Sequence, residues 1–146
     1  MNTKTEEIFP KRLLKLADYL DDFKEVKAKI GIDRFDMSLF KVTYPSCKTS
    51  ACALGTAGSI PWFRKRGLKA LLEYHDNGAK SYSVKVDGDG SRQAHATFFG
   101  ICLTDVYELF YSGPSTAKQK AKQIRAFVEQ RVAEQNETLL ISRGLI

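Results

Sequence analysis

The sequence predicts a mainly α protein of the α+β class, a single helical domain over residues 1–146 with a small two-stranded β element near residues 40–44 and 81–86. Apolar residues recur at three- and four-residue spacing in several segments, which is the period of amphipathic helices. Alternation of apolar and polar residues is limited to Tyr82–Val86, which predicts one clear strand. The chain contains no repeat, low-complexity segment or long linker, and its 146 residues fit one domain.

The first predicted helix runs from Pro10 to about Ile30. Proline suits the first turn, where its missing N–H has no partner to lose, and Gly31 ends the helix as a C′ residue. One face is apolar and is expected to be buried: Leu13, Leu16, Ala17, Leu20 and Phe23.

Small residues dominate segment 50–58 and predict a short buried helix, because small side chains let backbones approach closely. Thr49 or Ser50 is the expected N-cap. Pro61 is predicted to begin a further helix of about ten residues, although Gly67 interrupts its pattern.

Three more helices are predicted in the second half of the chain. They are Ser91–Phe99, then Asp105–Tyr111 with Thr104 as N-cap, and a last helix that begins at the capping box Thr116-x-x-Gln119 and ends near Gln135. Residues 1–9 and 137–146 are predicted to be flexible ends.

The composition excludes several classes of protein. With 43% hydrophobic residues the chain is too apolar for a disordered protein, and it has no apolar run of the roughly 20 residues that span a bilayer. Its start lacks the apolar region of a signal peptide, and three cysteines cannot form a complete disulfide framework. We therefore expect a cytoplasmic protein with reduced thiols and no membrane partner.

The net charge of +6 is concentrated in two segments. Residues 61–80 carry five Lys/Arg against two Asp/Glu, and residues 114–146 carry six against three, whereas residues 81–113 carry two against four. Such an excess attracts nucleic acids, nucleotides or acidic proteins without selecting among them. It equally fits a solvated surface that keeps a small protein soluble.

Both basic segments contain candidate binding residues. Trp62 and Phe63 precede three cations, a mixture that binds nucleic acid by stacking and phosphate contacts, although such aromatic residues are more often core anchors. In the last helix three cations follow i, i+4, i+7 spacing and share one face, which is also typical of a solvated surface. The predicted binding residues are Arg64, Lys65, Arg66, Lys118, Lys122 and Arg125.

Cys52 is the candidate nucleophile. A thiol in the first turn of a helix has a lowered pKa, and His75 or His95 could act as its base, with Asp76 or Asp105 orienting the imidazole. Because its neighbours are small and apolar, the favoured interpretation is that Cys52 is a buried core residue.

No metal site or cofactor is predicted. Cys47 and Cys52 have a loose spacing for zinc, and a closed site needs two more ligands, which Cys102, His75 and His95 could supply, but no second close pair exists. The segment from Asp87 opens like a calcium loop, but Arg92 stands where such a loop needs glycine and Phe98 where it needs glutamate. A turn between a strand and a helix explains the same residues.

Several local patterns occur together in a familiar order. They are Leu13-Leu14-x-Leu16-Ala17-x-x-Leu20, Cys47-x-Thr49-x-Ala51-Cys52-Ala53-Leu54-Gly55, Phe63-x-x-x-Gly67-Leu68, Phe98-Phe99-Gly100-Ile101 and Leu109-Phe110. This set resembles small uncharacterised proteins of bacteriophages and bacteria over roughly residues 11–130. In that pattern glycine often follows the first cysteine, where this chain has Lys48. The resemblance implies an intracellular accessory protein, located in the host cytoplasm if phage-encoded, and implies no activity.

These observations favour a non-enzymatic binding protein that engages an anionic partner through a basic surface. The partner would be nucleic acid, a nucleotide signal or an acidic host protein such as a defence component. Two alternatives stay open: a cysteine-dependent enzyme that uses Cys52 with a histidine, and a structural or protein-interaction module with no anionic ligand.

Overall fold

The computed structural model describes residues 8–32, 34–35, 41–43, 49–74, 76, 80–111, 114 and 116–144, in which seven helices and five strands form. The elements in chain order are α1 (Lys11–Asp21), α2 (Phe23–Lys29), β1 (Arg34–Phe35), β2 (Lys41–Thr43), β3 (Thr49–Ala51), α3 (Ala53–Ala57), α4 (Pro61–Arg64), β4 (Leu68–Tyr74), β5 (Lys80–Val86), α5 (Arg92–Phe99), α6 (Leu103–Phe110) and α7 (Ala117–Ser142).

The strands form one sheet in the order β1-β3-β2-β5-β4, in which only the β1–β3 pair is parallel. The mainly helical class is confirmed, and the two predicted strands do pair, with Val42 opposite Ser81 and Thr43 opposite Lys80. The predicted β element was too small, because β1, β3 and β4 also join the sheet. Strands of two or three residues are too short to show a periodic pattern, so β1 and β3 left no signal in the sequence.

The predicted helix of ten residues from Pro61 is wrong beyond Arg64. Gly67 has a φ of +103°, a backbone conformation that favours glycine, and the chain enters β4 directly after it. Leu68 is buried and Lys69 is exposed, as the two-residue period of a strand requires. The leucines of this segment fit either period over so short a stretch, which explains the wrong prediction.

The N-terminal helical segment is two helices rather than one, because the chain breaks at Asp22, whose φ and ψ are −101° and 23°. Gly31 ends the second helix as predicted, with a φ of +71°. The N–H of Ile32 then donates to Lys27 O at 2.9 Å, the bond that closes a Schellman motif.

Two N-caps lie elsewhere than predicted, and both are cysteines. Cys52, not Thr49 or Ser50, caps α3, and Cys102, not Thr104, caps α6. Sulfur is a weak acceptor, so neither cysteine carries the usual N-cap signal.

The hydrophobic core joins α1, α3, α4, α5, α6, α7 and the inner face of the sheet in one cluster. Phe63 lies near its centre, fully buried, with the ring centroids of Tyr19, Phe98 and Phe99 about 6 Å away. The predicted burial is confirmed for four residues of α1, each 0% exposed: Leu13, Leu16, Ala17 and Leu20. Phe23, the fifth residue of the predicted face, begins α2 and is half-buried.

The last helix begins at the predicted cap, since Thr116 Oγ1 accepts from the N–H of Gln119 at 3.1 Å. It continues to Ser142 rather than ending near Gln135, and its final residues are exposed. No helix in the described part of the chain is long and apolar enough to cross a membrane.

Candidate anion-binding surface

Arg64 has a structural role. Its Nη1 donates to Gly58 O at 2.8 Å and to Ala70 O at 3.3 Å, which ties the turn after α3 to β4. Two backbone carbonyls therefore already engage the Arg64 guanidinium.

Arg66 and Lys15 both lie against the single tryptophan of the chain, Trp62. The guanidinium Cζ of Arg66 is 3.6 Å from the ring centroid, and its Nη1 donates to Trp62 O at 2.9 Å. Lys15 Nζ lies 5.5 Å from the same ring. The half-buried indole is fixed from behind by Phe63, edge to face at 4.9 Å. We call Lys15, Trp62, Lys65 and Arg66 the Trp62 patch.

Lys65 is the exposed cation of the Trp62 patch. Within the described residues no carboxylate lies within ion-pair distance of it. On the Lys15 side, by contrast, a groove of about 310 Å³ is lined by Asp18, Asp22 and Glu25. Carboxylates therefore line the groove beside Lys15, whereas none of the described ones pairs with Lys65.

The second basic cluster is partly neutralised. Arg125 of α7 forms ion pairs with Asp18 at 2.8 Å and Asp21 at 2.9 Å, and these carboxylates raise the pKa of its guanidinium. Lys118 and Lys122 are exposed. Arg125 thus connects α7 to α1, and two acidic groups offset the charge of this face.

Each of the two predicted clusters has a residue that contacts α1. Arg125 contacts Asp18 and Asp21, whereas the Trp62 patch contacts the flank that carries Lys15 and Tyr19. Asp18 also lines the groove beside Lys15, so the parts of α1 that the two clusters contact adjoin each other.

Lys120 is a residue whose burial the sequence interpretation missed. It is 0% exposed, and its Nζ donates to Leu109 O at 2.7 Å near the C-terminal end of α6. Burial lowers its pKa to about 8. The sequence did contain a sign of this burial, because Lys120 lies within the apolar stripe of α7 between Ala117 and Ala121.

Cys52 has the properties of a core residue. It is 1% exposed, and its Sγ accepts from the N–H of Gly55 at 3.4 Å. Burial raises the pKa of its thiol to about 11, although the ammonium of Lys120 acts in the opposite direction. A thiol with a raised pKa is not an activated nucleophile.

Of the two predicted bases, His95 lies within the described residues, where its ring is hydrogen-bonded to a strand carbonyl. His95 is buried, and its Nε2 is 2.7 Å from Val84 O. Because a carbonyl only accepts, Nε2 carries the proton and is not the atom that could abstract one. His75 and Cys47 lie outside the described residues, which contain no group of three His, Cys, Asp or Glu side chains able to hold a metal ion.

The loop after β5 is a turn, as expected. Asp89 Oδ1 accepts from the N–H of Ser91 at 2.9 Å, and Ser91 Oγ accepts from Ala94 N at 3.1 Å to cap α5. These side chains therefore organise the start of a helix.

No protein-family model, curated protein or solved structure matches the chain.

We expect Cys52 to react with iodoacetamide at least about 100-fold more slowly than the exposed Cys102 at pH 7, because burial and a raised pKa both keep thiolate from the reagent. Peptide mass spectrometry over time measures each rate in one sample, and urea-unfolded chain gives the reference. A folded Cys52 that reacts as fast as the unfolded thiol would restore the cysteine-enzyme alternative.

Proposed function

We propose that this chain is a small intracellular binding protein without catalytic activity, which engages an anionic partner through the Trp62 patch. The partner classes are nucleic acid, a nucleotide, or an acidic protein such as a host defence component. The resemblance to small phage and bacterial proteins adds a role as an accessory factor in the bacterial cytoplasm.

The observation that carries the proposal is the pair of cations on one tryptophan ring. Arg66 stacks on Trp62 at 3.6 Å and Lys15 approaches it at 5.5 Å, with exposed Lys65 alongside. Cations held against an aromatic ring are pre-organised, so an anion that binds them has less side-chain entropy to freeze. The α7 cluster is the weaker candidate because Arg125 is paired with two carboxylates.

A titration tests the proposal. Trp62 is the only tryptophan, so intrinsic fluorescence reports directly on the patch. We expect a single-stranded 12-mer, ATP or polyglutamate to change this fluorescence, and the affinity to fall steeply as salt rises. Lys65→Glu with Arg66→Gln should weaken binding by about tenfold or more, since it makes the charge of the patch more negative by three units.

The matched control is Lys118→Glu with Lys122→Gln, which changes the charge by the same three units at exposed lysines of α7. We expect this pair to alter affinity by less than about threefold. An affinity that does not change with salt concentration would contradict the proposal. So would a control variant that weakens binding as much as the patch variant does. If none of the three probes changes the fluorescence, the alternative of a structural or protein-interaction module with no anionic ligand is favoured.

A further inference from the structure

Helix α6 presents an apolar and aromatic stripe on its outer side. Leu103, Tyr107 and Tyr111 follow one another at four-residue spacing, so they share one face of this helix and its C-cap. Leu103 is 42% and Tyr107 43% exposed, and Tyr111 is half-buried. Exposed apolar side chains that are grouped on one face often mark a binding site, whereas scattered ones do not.

Arg92, the first residue of α5, is fixed over these two tyrosine rings. Its guanidinium Cζ lies 4.7 Å from the ring centroid of Tyr107 and 5.6 Å from that of Tyr111, and its Nη1 donates to the Tyr107 hydroxyl. A guanidinium has several N–H donors, so it can hold this hydroxyl and still donate to a ligand. Because the side chain is already positioned, less of its entropy is lost when a ligand binds.

Arg92 pairs with no carboxylate in the part of the chain that the structure describes. The Asp89 carboxylate, which lies at the same end of α5, accepts from the N–H of Ser91 at 2.9 Å. The planar fork of a guanidinium matches the paired oxygens of a carboxylate or phosphate group. Arg92 is therefore able to pair with an oxyanion that comes from outside the fold.

An open cleft of about 500 Å³ lies beside Arg92. Small-molecule sites have volumes of roughly 300–1,000 Å³, so the cleft is of the right size for one. Leu103 and Tyr111 give it an apolar and aromatic wall, which suits a flat ring. The other lining residues are Gly90, Ser91, Arg92 and Gln93.

We propose that this cleft binds a small aromatic oxyanion, a molecule with one flat ring and one carboxylate or phosphate group. The oxyanion pairs with the Arg92 guanidinium, and the ring packs against Leu103 and Tyr111. A polyanion fits less well, because Arg92 is the single cation among the described lining residues and residues 81–113 carry two Lys/Arg against four Asp/Glu. The site shares no residue with the Trp62 patch, so it goes beyond the proposed function and does not depend on it.

The test is a titration followed by two-dimensional amide NMR, with phenyl phosphate and phenylacetate as probes. We expect a probe that binds to shift the amide signals of Gly90–Gln93 and Leu103. Inorganic phosphate, acetate and the neutral benzyl alcohol should each bind at least about tenfold more weakly, because each lacks either the ring or the charge. Binding of phenyl phosphate alone would identify a phosphate ester as the ligand class, and binding of phenylacetate alone a carboxylate.

Three variants locate the site. Arg92→Gln should lower the affinity by about tenfold or more, because a charge-assisted pair is lost. Tyr107→Phe keeps the ring but removes the hydroxyl that positions Arg92, and should weaken binding by about threefold. The matched control is Arg143→Gln, which removes the same charge from an exposed arginine at the end of α7 and should change the affinity by less than about twofold.

The outcomes that overturn this inference leave the proposed function testable on its own. Equal loss in Arg92→Gln and Arg143→Gln would overturn the inference, because net charge alone would then explain binding. Benzyl alcohol that binds as tightly as the two anions would overturn it without any variant, since Arg92 would then contribute nothing. If Lys65→Glu with Arg66→Gln abolishes the binding of both probes, they bind at the Trp62 patch, and the inference fails while the proposed function stands.

Discussion

Replacing Phe63 with alanine is expected to lower the free energy of unfolding by about 3–5 kcal/mol. Its ring is fully buried among Tyr19, Trp62, Phe98 and Phe99, so truncation leaves a cavity bordered by four aromatic rings. Rings fixed by the surrounding elements cannot collapse into the space without losing their own contacts. Urea unfolding followed by circular dichroism measures the loss, with an unchanged m value expected if the native state stays compact.

Exposed Leu139 supplies the control for this prediction. It is 45% exposed near the end of α7, so Leu139→Ala should change stability by no more than about 0.5 kcal/mol. Phe63→Leu should lose less than Phe63→Ala, because it leaves a smaller cavity. If Phe63→Ala costs as little as Leu139→Ala, the aromatic cluster is not the centre of the core.

Phe63 also connects the core to the candidate site. Its ring supports Trp62 at 4.9 Å, and Trp62 in turn carries the guanidinium of Arg66. A looser indole would hold Arg66 less firmly, so Phe63→Ala should weaken polyanion binding even where the chain is folded. The buried Phe63 ring thus fixes the indole against which the half-buried Arg66 guanidinium lies.

Local signals were the part of the fold that the sequence could predict. Ser91 and Thr116 cap α5 and α7 because their hydroxyls accept from N–H groups three residues later, a contact specified within a few residues. The buried face of α1 likewise follows from spacing alone. The β4 strand was missed because Leu68, Leu71 and Leu72 fit a helical period, and its pairing with β5 is a tertiary contact.

The candidate site depended on contacts that no local pattern encodes. Arg125 pairs with Asp18, 107 residues away, so its charge is offset by a partner invisible in its own helix. Arg64 is engaged by carbonyls that turn towards it only once β4 forms. The sequence alone shows where the cations are concentrated. Which of them can contact a ligand depends on tertiary contacts that form only on folding.

The buried pair of Lys120 and Cys52 gives the second large expected effect, a dependence of stability on alkaline pH. The pKa of Lys120 is lowered by burial from 10.5 to about 8, so between these values the unfolded chain binds a proton that the folded chain does not. Stability therefore rises with pH over this window, by about 3 kcal/mol in total. The Cys52 thiol behaves in the opposite sense, because burial raises its pKa from 9.0 to about 11 and stability falls as pH rises between those values.

Between pH 9 and 10.5 the rise in stability due to Lys120 and the fall due to Cys52 occur together and nearly cancel. We expect the free energy of unfolding of the wild-type chain to rise from pH 8 to 9 and then level off. In Cys52→Ala the free energy of unfolding should continue to rise up to pH 10.5. In Lys120→Met it should only fall, above pH 9. Urea unfolding at half-unit pH steps measures all three curves.

The double variant Cys52→Ala with Lys120→Met is the reference, because it keeps every other tyrosine, lysine and cysteine that titrates in this range. Each single-variant curve minus that reference gives the contribution of one group with the other removed, and comparison with the wild-type curve measures their interaction. A Cys52→Ala curve parallel to the reference would mean that Lys120 keeps an ordinary pKa and reaches solvent. Because Lys120 is 0% exposed and donates to a carbonyl of α6, we expect the curves to diverge steadily above pH 8.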